Sequence, residues 1–148
     1  MTYKMTEEER QAFLADVHVG VISVAEDGRG PLTVPVWYNY TPGGEVLVWT
    51  GGTTRKAELL KKAGRFSLCV QDEAPPYSYV SVEGPVVDIG PIDFNLHLRP
   101  MVYRYLDQKE GEKYIENLGG ETAGTGDILV RMRPERWLSA DYGKSGES

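Results

Sequence analysis

Residues 45–65, EVLVWTGGTTRKAELLKKAGR, join a predicted strand to a predicted helix through two glycines and two threonines. The first six residues are rich in β-branched and aromatic side chains, which favours a strand. Residues 55–63 place their leucines and one alanine on one side of a helical wheel, which is typical of a helix lying on a core. Lys56 falls on the same apolar side, in the first helical turn, where desolvation and the helix dipole both disfavour a cation.

Two interpretations explain the position of Lys56. In the first, the side chain snorkels to solvent and only its stem covers apolar surface. In the second, an anion lies beside the free amides of the helix start and the hydroxyls of Thr53 and Thr54. The sequence favours the second, because Gly51-Gly52 would let the backbone approach a ligand closely. We therefore predict a phosphate site at Lys56, beside Thr53 and Thr54. The other cations of the segment are predicted to be solvated: Lys61, Lys62 and Arg65.

The predicted phosphate site follows a hairpin rich in aromatic residues. Trp49 and Thr50 end the strand that precedes it, and Trp37 lies on the predicted hairpin partner, residues 31–40. A flat aromatic cofactor could lie along this hairpin with its phosphate at the helix start, although core packing is an equal alternative for both tryptophans. The glycine patterns of a P-loop and of a dinucleotide fingerprint are both absent.

The composition is that of one soluble domain, residues 1–148, with a frayed tail expected at 143–148. The 22 acidic residues outnumber the 16 Lys and Arg, a net charge of −6, which argues against a general nucleic-acid binder and against docking on anionic lipid. The single Cys69, predicted to be buried, excludes an intrachain disulfide. The polar N-terminus is no signal peptide, so a cytoplasmic protein without membrane contact is expected.

The remaining pattern predicts a mainly β (α+β) fold. Helices are expected at 6–16, where Thr6 and Glu9 form a capping box, and within 91–118, with a break at Pro100. Pro35 is expected at an edge or irregularity, and Gly84-Pro85 at a bulge. Residues 119–126 are expected to form a flexible loop and residues 136–143 a short extension. Six strands are predicted, over residues 18–26, 31–40, 45–50, 65–72, 77–90 and 127–135.

The order of these segments resembles the pyridoxamine 5'-phosphate oxidase-like split β-barrels, a family of flavin- and deazaflavin-dependent oxidoreductases. The resemblance covers residues 6–142 and is most specific in TTRKAELLKKAGR (53–65) and SVEG (81–84). It implies a six-stranded antiparallel split β-barrel of the FMN-binding type with flanking helices. It also implies a homodimer with the cofactor at the subunit interface.

Together with the two threonines of the predicted phosphate site, the residues that the resemblance matches make a predicted cofactor site of twelve residues. Arg55 and Lys56 match the pair that binds the cofactor phosphate, and residues 34–37 match the strand whose backbone lines the ring. Tyr79 and Ser81, with Tyr77, would face the partner's cofactor, unless they are ordinary cross-strand residues. The full predicted set is Val34, Pro35, Val36, Trp37, Trp49, Thr50, Thr53, Thr54, Arg55, Lys56, Tyr79 and Ser81.

The implied function is hydride transfer from a bound cofactor to an electron-poor small molecule such as an enone, a quinone or a tetrapyrrole. The sequence lacks the residues that hold the substrate phosphate in true pyridoxamine phosphate oxidases, and no arginine follows Trp137 as that family requires. The resemblance therefore favours the actinobacterial branch that uses the deazaflavin coenzyme F420, with FMN as a close second. No catalytic residue is assigned, and a metal site is not expected. The alternative is a non-catalytic flavin- or haem-binding module, in which His18 or His97 would be the axial ligand.

Overall fold

The computed structural model describes residues 2–144, and its first element confirms the predicted capping box. Helix α1 spans Glu7–Ala15. The Thr6 hydroxyl accepts a hydrogen bond from the Glu9 amide (3.1 Å), and the Glu9 carboxylate accepts one from the Thr6 amide (2.8 Å). The Lys144 ammonium lies 2.6 Å from the same Glu9 oxygen. The start of the predicted tail is thus anchored on α1, and residues 145–148 lie outside the described residues.

Among residues 2–144, eight strands, rather than the six predicted, form one antiparallel sheet. One addition arises because residues 31–40 divide into two strands at Trp37, and the other because residues 136–141 are a strand that pairs with β6, not an extension. The strands are β1 (Gly20–Val24), β2 (Leu32–Val36), β3 (Tyr38–Tyr40), β4 (Val46–Gly51), β5 (Arg65–Asp72), β6 (Ser78–Pro91), β7 (Asp127–Met132) and β8 (Arg136–Asp141).

The other helices lie in the predicted regions, with a different break. Their bounds are α2 (Arg55–Ala63), α3 (Arg99–Tyr105) and α4 (Gln108–Asn117), with a π-helical turn at Phe94–Leu98 and a 3-10 turn at Gly120–Thr122 inside the predicted loop. Pro100 does not break a helix but lies in the first turn of α3, where its missing amide has no intrahelical partner to lose. The break falls before Asp107, whose carboxylate caps α4. No helix within residues 2–144 is long and apolar enough to cross a membrane.

The strand order closes the sheet on itself. The order is β2-β1-β5-β6-β7-β4-β3, with β8 beside β6, so β2 and β3 lie at opposite ends of the path. Only Trp37 separates these two strands in the chain, and the sheet must therefore curl into a split barrel. The predicted hairpin of residues 31–40 with 45–50 is confirmed only for its second half, in which β3 pairs with β4 (Tyr38 with Val48). Its first half, β2, pairs with β1 instead. Pro35 lies on the edge strand β2, as predicted.

Strand β6 links the two halves of the barrel, because its first half pairs with β5 and β8 and its second half with β7. Gly84 marks the crossing, and a Cβ atom there would overlap the carbonyl oxygen of Arg133. The irregularity predicted at Gly84-Pro85 falls instead between Val86 and Asp88, where the register shifts. Gly84 therefore permits a close backbone approach rather than a bulge.

Two apolar clusters meet beside the tryptophans. The main core fills the barrel and includes the fully buried Ile22, Tyr38 and Leu60. A smaller cluster lies between the barrel and the helices α3 and α4, and the partly buried Trp37 and Trp49 pack against it. The two tryptophans thus border the seam between barrel and helices.

Candidate functional site

A cavity of about 550 Å³ opens where the ends of β2 and β4 meet the start of α2 and one side of α4. The structure brings seven of the twelve predicted cofactor-binding residues to its wall: Pro35, Val36, Trp37, Trp49, Thr50, Thr54 and Lys56. Five further residues line it: Val19, Gly51, Tyr114, Leu118 and Asp127. The other five predicted residues do not line this cavity: Val34, Thr53, Arg55, Tyr79 and Ser81.

Lys56 is the cation of this cavity. It lies in the first turn of α2 and is half-buried, on the same side as the buried Leu59 and Leu60. Within residues 2–144, no carboxylate lies within ion-pair distance of its ammonium group. Burial without a counter-charge lowers the pKa of Lys56 from its ordinary value. An anion in the cavity would supply the missing counter-charge.

The start of α2 adds hydrogen-bond donors beside Lys56. Thr54 is the N-cap: its hydroxyl accepts from the Ala57 amide (3.1 Å) and donates to the Gly51 carbonyl (2.9 Å). The next two amides, of Arg55 and Lys56, have no acceptor in the described part of the chain. Two free amides and an ammonium group at a positive helix end form a site suited to a phosphate.

Arg55 turns away from the cavity, so the structure separates the predicted Arg–Lys pair. Its guanidinium lies 2.8 Å from a Glu26 carboxylate oxygen and 3.8 Å from one of Glu58. Glu26 belongs to the turn between β1 and β2, and the ion pair fastens this turn to α2. Thr53 is exposed and also lies off the cavity wall.

Aromatic rings form the other side of the cavity. The Trp37 ring stacks on that of Tyr105, with the ring centroids 4.9 Å apart and an angle of 7° between the planes. The centroid of the Tyr114 ring lies 5.2 Å from that of Trp37. The Trp49 indole N–H donates to the Asp127 carboxylate (2.9 Å). Each tryptophan ring packs against the smaller cluster and also lines the cavity, so core packing applies to both rings without removing either from the cavity wall.

Sequence reasoning missed Asp127, which pairs in register with Gly51 at the start of β7. The two positions are far apart in the chain, and only the pairing of β4 with β7 brings them together. Tyr114 and Leu118 were missed for a similar reason, because α4 has an ordinary amphipathic pattern. No local motif distinguishes these residues from structural ones.

Gly52 has a structural explanation. A Cβ atom on Gly52 would overlap the carbonyl oxygen of Gly126, in the loop that precedes β7. The glycine therefore permits two segments of the chain to pass closely, and the prediction that it admits a ligand is not needed to explain it.

Tyr79, Ser81 and Val34 lie elsewhere on the barrel. Val34 packs against the main core, whereas Tyr79 and Ser81 lie on the outer face of β6. On that face five residues pair across neighbouring strands, and we call them the outer row: Pro35, Val21, Cys69, Ser81 and Leu138. Cys69, predicted to be buried, is exposed in this row.

No protein-family model matches the sequence, and no curated protein matches it either. Solved structures do match the fold. A conserved hypothetical protein from Mycobacterium tuberculosis superposes with a TM-score of 0.72 and 21% identity over 99% of this chain and 93% of that one. An F420 reductase superposes with a TM-score of 0.61 and 16% identity, over 86% of this chain and 94% of the other. A Listeria innocua protein named as a pyridoxamine 5'-phosphate oxidase superposes with a TM-score of 0.65 and 11% identity, over 90% of this chain and 96% of the other.

These likenesses extend over most of each chain, and at such low identity they concern the fold. The sheet that closes at Trp37 and the flanking helices account for them. The chain has the fold of the pyridoxamine 5'-phosphate oxidase-like split β-barrel proteins.

Proposed function

We propose that the protein is an oxidoreductase that binds a flavin-type cofactor in the 550 Å³ cavity, with the cofactor phosphate at Lys56 and the start of α2. The observation that carries the proposal is a half-buried lysine that no carboxylate of residues 2–144 pairs with, beside two tryptophans and two amides without an acceptor in that range. The bound cofactor would supply hydride-transfer chemistry. The residues of the chain would hold its phosphate, orient its ring and exclude water.

We favour the deazaflavin coenzyme F420 and place FMN as a close second. A protein of the same fold is an F420 reductase, so the fold is compatible with this cofactor. Both cofactors carry a phosphate that the same lysine and amides would bind, so the order rests on the resemblance. The hydride acceptor would be an electron-poor small molecule, such as an enone, a quinone or a tetrapyrrole.

The cytoplasmic location stays a prediction from the sequence.

The test is a titration of the purified protein with coenzyme F420, FMN and riboflavin, followed by tryptophan fluorescence. Riboflavin has the FMN ring without the phosphate, so it isolates the phosphate contribution. Hydrogen bonds to charged groups contribute about 1.5–3 kcal/mol, so FMN should bind roughly ten- to a hundredfold more tightly than riboflavin. The proposal fails if neither phosphate-bearing cofactor binds below the millimolar range.

Variants locate the phosphate within the cavity. Lys56→Gln should remove most of the advantage of FMN over riboflavin, because it removes the charge and leaves only the helix amides to hold the phosphate. Lys61→Gln is the matched control, since Lys61 is exposed on the other side of the same helix. Equal loss in both variants would mean that net charge, rather than the site, controls binding.

A turnover assay with the reduced cofactor and a panel of enones and quinones separates an enzyme from the alternative, a non-catalytic binding module. Tight cofactor binding without reduction of any enone or quinone would favour the module. A haem held by histidine is less consistent with this cavity, since neither histidine lines it. His18 stacks on Phe13, and the His97 ring accepts a hydrogen bond from the Asp93 amide.

We also propose that two copies pair through the outer row. The row carries no charged side chain, and its Val21 and Leu138 are 39% and 64% exposed. Pro35 belongs both to the row and to the cavity wall, and the exposed Val19 beside it also lines the cavity. A second copy on this face would therefore complete one side of the cavity, with Tyr79 and Ser81 in the interface.

A further inference from the structure

A second cavity lies between α1, the β3–β4 turn and the link from β7 to β8. Its volume is about 470 Å³, and it shares no residue with the cofactor cavity. Six of the residues that line it are charged or aromatic: Glu7, Arg10, Tyr40, Glu45, Arg133 and Trp137. No step of the proposed oxidoreductase function uses this cavity.

Arg10 lacks the partner that an arginine normally has. Its guanidinium carbon lies 4.9 Å from the centroid of the Trp137 ring. Its Nε atom is buried and finds no hydrogen-bond acceptor within residues 2–144, and no carboxylate in that range lies within 4.0 Å of the guanidinium. A guanidinium fork matches a carboxylate with two parallel hydrogen bonds, so the chain leaves this preferred partner to be supplied.

The other charges of the cavity have partners. Glu45 lies 3.8 Å from the Arg131 guanidinium, and the Glu7 carboxylate accepts a hydrogen bond from Gln11. The Arg133 guanidinium lies 3.8 Å from Glu135. Within residues 2–144, Arg10 is thus the cation of this cavity that no carboxylate pairs with.

Tyr40 offers a second donor. Its hydroxyl oxygen accepts a hydrogen bond from the Gly43 amide (3.2 Å), which leaves its hydrogen free to donate. Burial raises the pKa of Tyr40, so the hydroxyl stays protonated at neutral pH. The centroids of the Tyr40 and Trp137 rings lie 6.2 Å apart, with an angle of 68° between the ring planes. The two rings form an apolar corner beside Arg10.

We propose that this second cavity binds an aromatic monocarboxylate, whose carboxylate pairs with Arg10 and accepts from Tyr40 while its ring contacts Trp137. A single negative charge fits better than two, because Glu7 and Glu45 stand at the same cavity and repel a dianion. The apolar corner favours a ring over a free inorganic anion.

The test uses benzoate as the probe and follows the indole N–H signals of the full chain by NMR, with Trp137→Phe to assign one of them. Benzoate should shift the Trp137 signal saturably in the millimolar range. Benzyl alcohol, the neutral counterpart, and inorganic phosphate should each bind at least about tenfold more weakly. No saturable shift, or equal binding of phosphate or the alcohol, would overturn the proposal.

Variants test the role of Arg10. Arg10→Gln should abolish the benzoate shift, and Arg10→Lys, which keeps the charge but loses the fork, should weaken it about fivefold or more. Arg29→Gln, at an exposed arginine of another turn, is the control and should leave binding unchanged. The lysine variant serves if the glutamine variant does not fold, and full binding by either Arg10 variant contradicts the proposal.

Discussion

Lys56 combines three features that oppose a cation in the cofactor-free protein. It is half-buried, it lies at the positive end of α2, and no carboxylate of the described chain pairs with it. Each feature becomes favourable if an anion binds beside it. A residue of this kind should reduce stability and support binding, which is a trade-off typical of functional sites.

Replacing Lys56 with Met should stabilise the cofactor-free protein. The expected gain at pH 7 is a few tenths to about 1 kcal/mol in the free energy of unfolding, because the half-exposed ammonium keeps part of its hydration. The pKa of Lys56 is lower in the folded protein than in the unfolded chain, so the protonated form costs stability at neutral pH. This cost falls as the pH rises through the folded pKa.

Urea denaturation at pH 7 and near pH 10 measures the effect. The stability difference between Lys56→Met and the natural protein should shrink at the higher pH. Lys61→Met removes an exposed lysine from the same helix and should show no such pH dependence. A destabilised Lys56→Met protein at pH 7 would contradict this account of the residue.

A substitution at Gly52 tests whether this glycine is needed for close packing of the chain or for close approach of a ligand. Gly52→Ala should lower the free energy of unfolding by roughly 2–4 kcal/mol without any ligand, because its Cβ would overlap the Gly126 carbonyl oxygen. Gly30→Ala is the control, since a Cβ there meets open space. Thermal unfolding of both variants measures the difference. Unchanged stability combined with lost cofactor binding would restore the ligand interpretation of Gly52.

At the scale of elements, the sequence predicts what depends on neighbouring residues. The capping box at Thr6 and Glu9, the apolar side of α2 and the bounds of β5 all follow from local pattern and are confirmed. The division of residues 31–40 was not predicted, because the alternation of buried residues continues unbroken through Trp37. Strand β8 was missed because its pairing with β6 is not encoded in either segment alone.

The candidate site shows the same limit. The helix start and the tryptophans are adjacent in sequence or on neighbouring strands, and local reasoning brought them together. Arg55 and Lys56 are also adjacent, yet they diverge because Glu26 attracts one of them from a distant turn. Asp127 reaches the cavity through strand pairing. Long-range partners therefore decide the details that a local pattern cannot.

Helix α1 should lose stability in acid through Glu9. The Lys144 ammonium, and then the Thr6 amide, lower the pKa of Glu9 to about 2 from 4.5. Because the folded pKa is depressed, the contribution is complete above pH 4.5 and is lost as the pH falls towards 2. The melting temperature of Glu9→Gln should therefore lie below that of the natural protein at pH 7, with the difference vanishing near pH 2.

Circular dichroism melts at several pH values would measure this difference. Glu8→Gln removes a carboxylate from the same helical turn and serves as the control, because Glu8 is exposed and caps nothing. An equal, pH-independent effect in both variants would mean that the helix dipole, and not the contacts of Glu9, accounts for the stabilisation.

At the scale of the whole molecule, α3 holds the seam where the barrel closes. The Tyr105 hydroxyl lies 2.6 Å from the His18 carbonyl and 3.0 Å from the Tyr38 carbonyl. Arg104, beside it, donates to the carbonyls of Tyr38 and Asp16. Both side chains thus tie the segment before β1 to the start of β3. The 550 Å³ cavity opens beside this seam, and the next helix, α4, lines one of its walls with Tyr114 and the C-cap residue Leu118.

The proposed dimer predicts that a charge in the outer row produces monomers. Leu138→Asp places a carboxylate at a position that is 64% exposed, and the buried charge in a paired face would cost several kcal/mol. The fold should survive, because the side chain does not enter the core. Leu96→Asp is the matched control, since Leu96 is 73% exposed on the π-helical turn, away from the row.

Sedimentation velocity distinguishes the outcomes. The natural protein and Leu96→Asp should sediment at twice the mass of the chain, and Leu138→Asp at the mass of one chain. Because Pro35 lies in both the row and the cavity wall, Leu138→Asp should also weaken cofactor binding although Leu138 does not line the cavity. Monomers that bind the cofactor with full affinity would show that one copy completes the site. A natural protein that sediments as a monomer would remove the dimer altogether and leave the Lys56 site to be judged by its own titration.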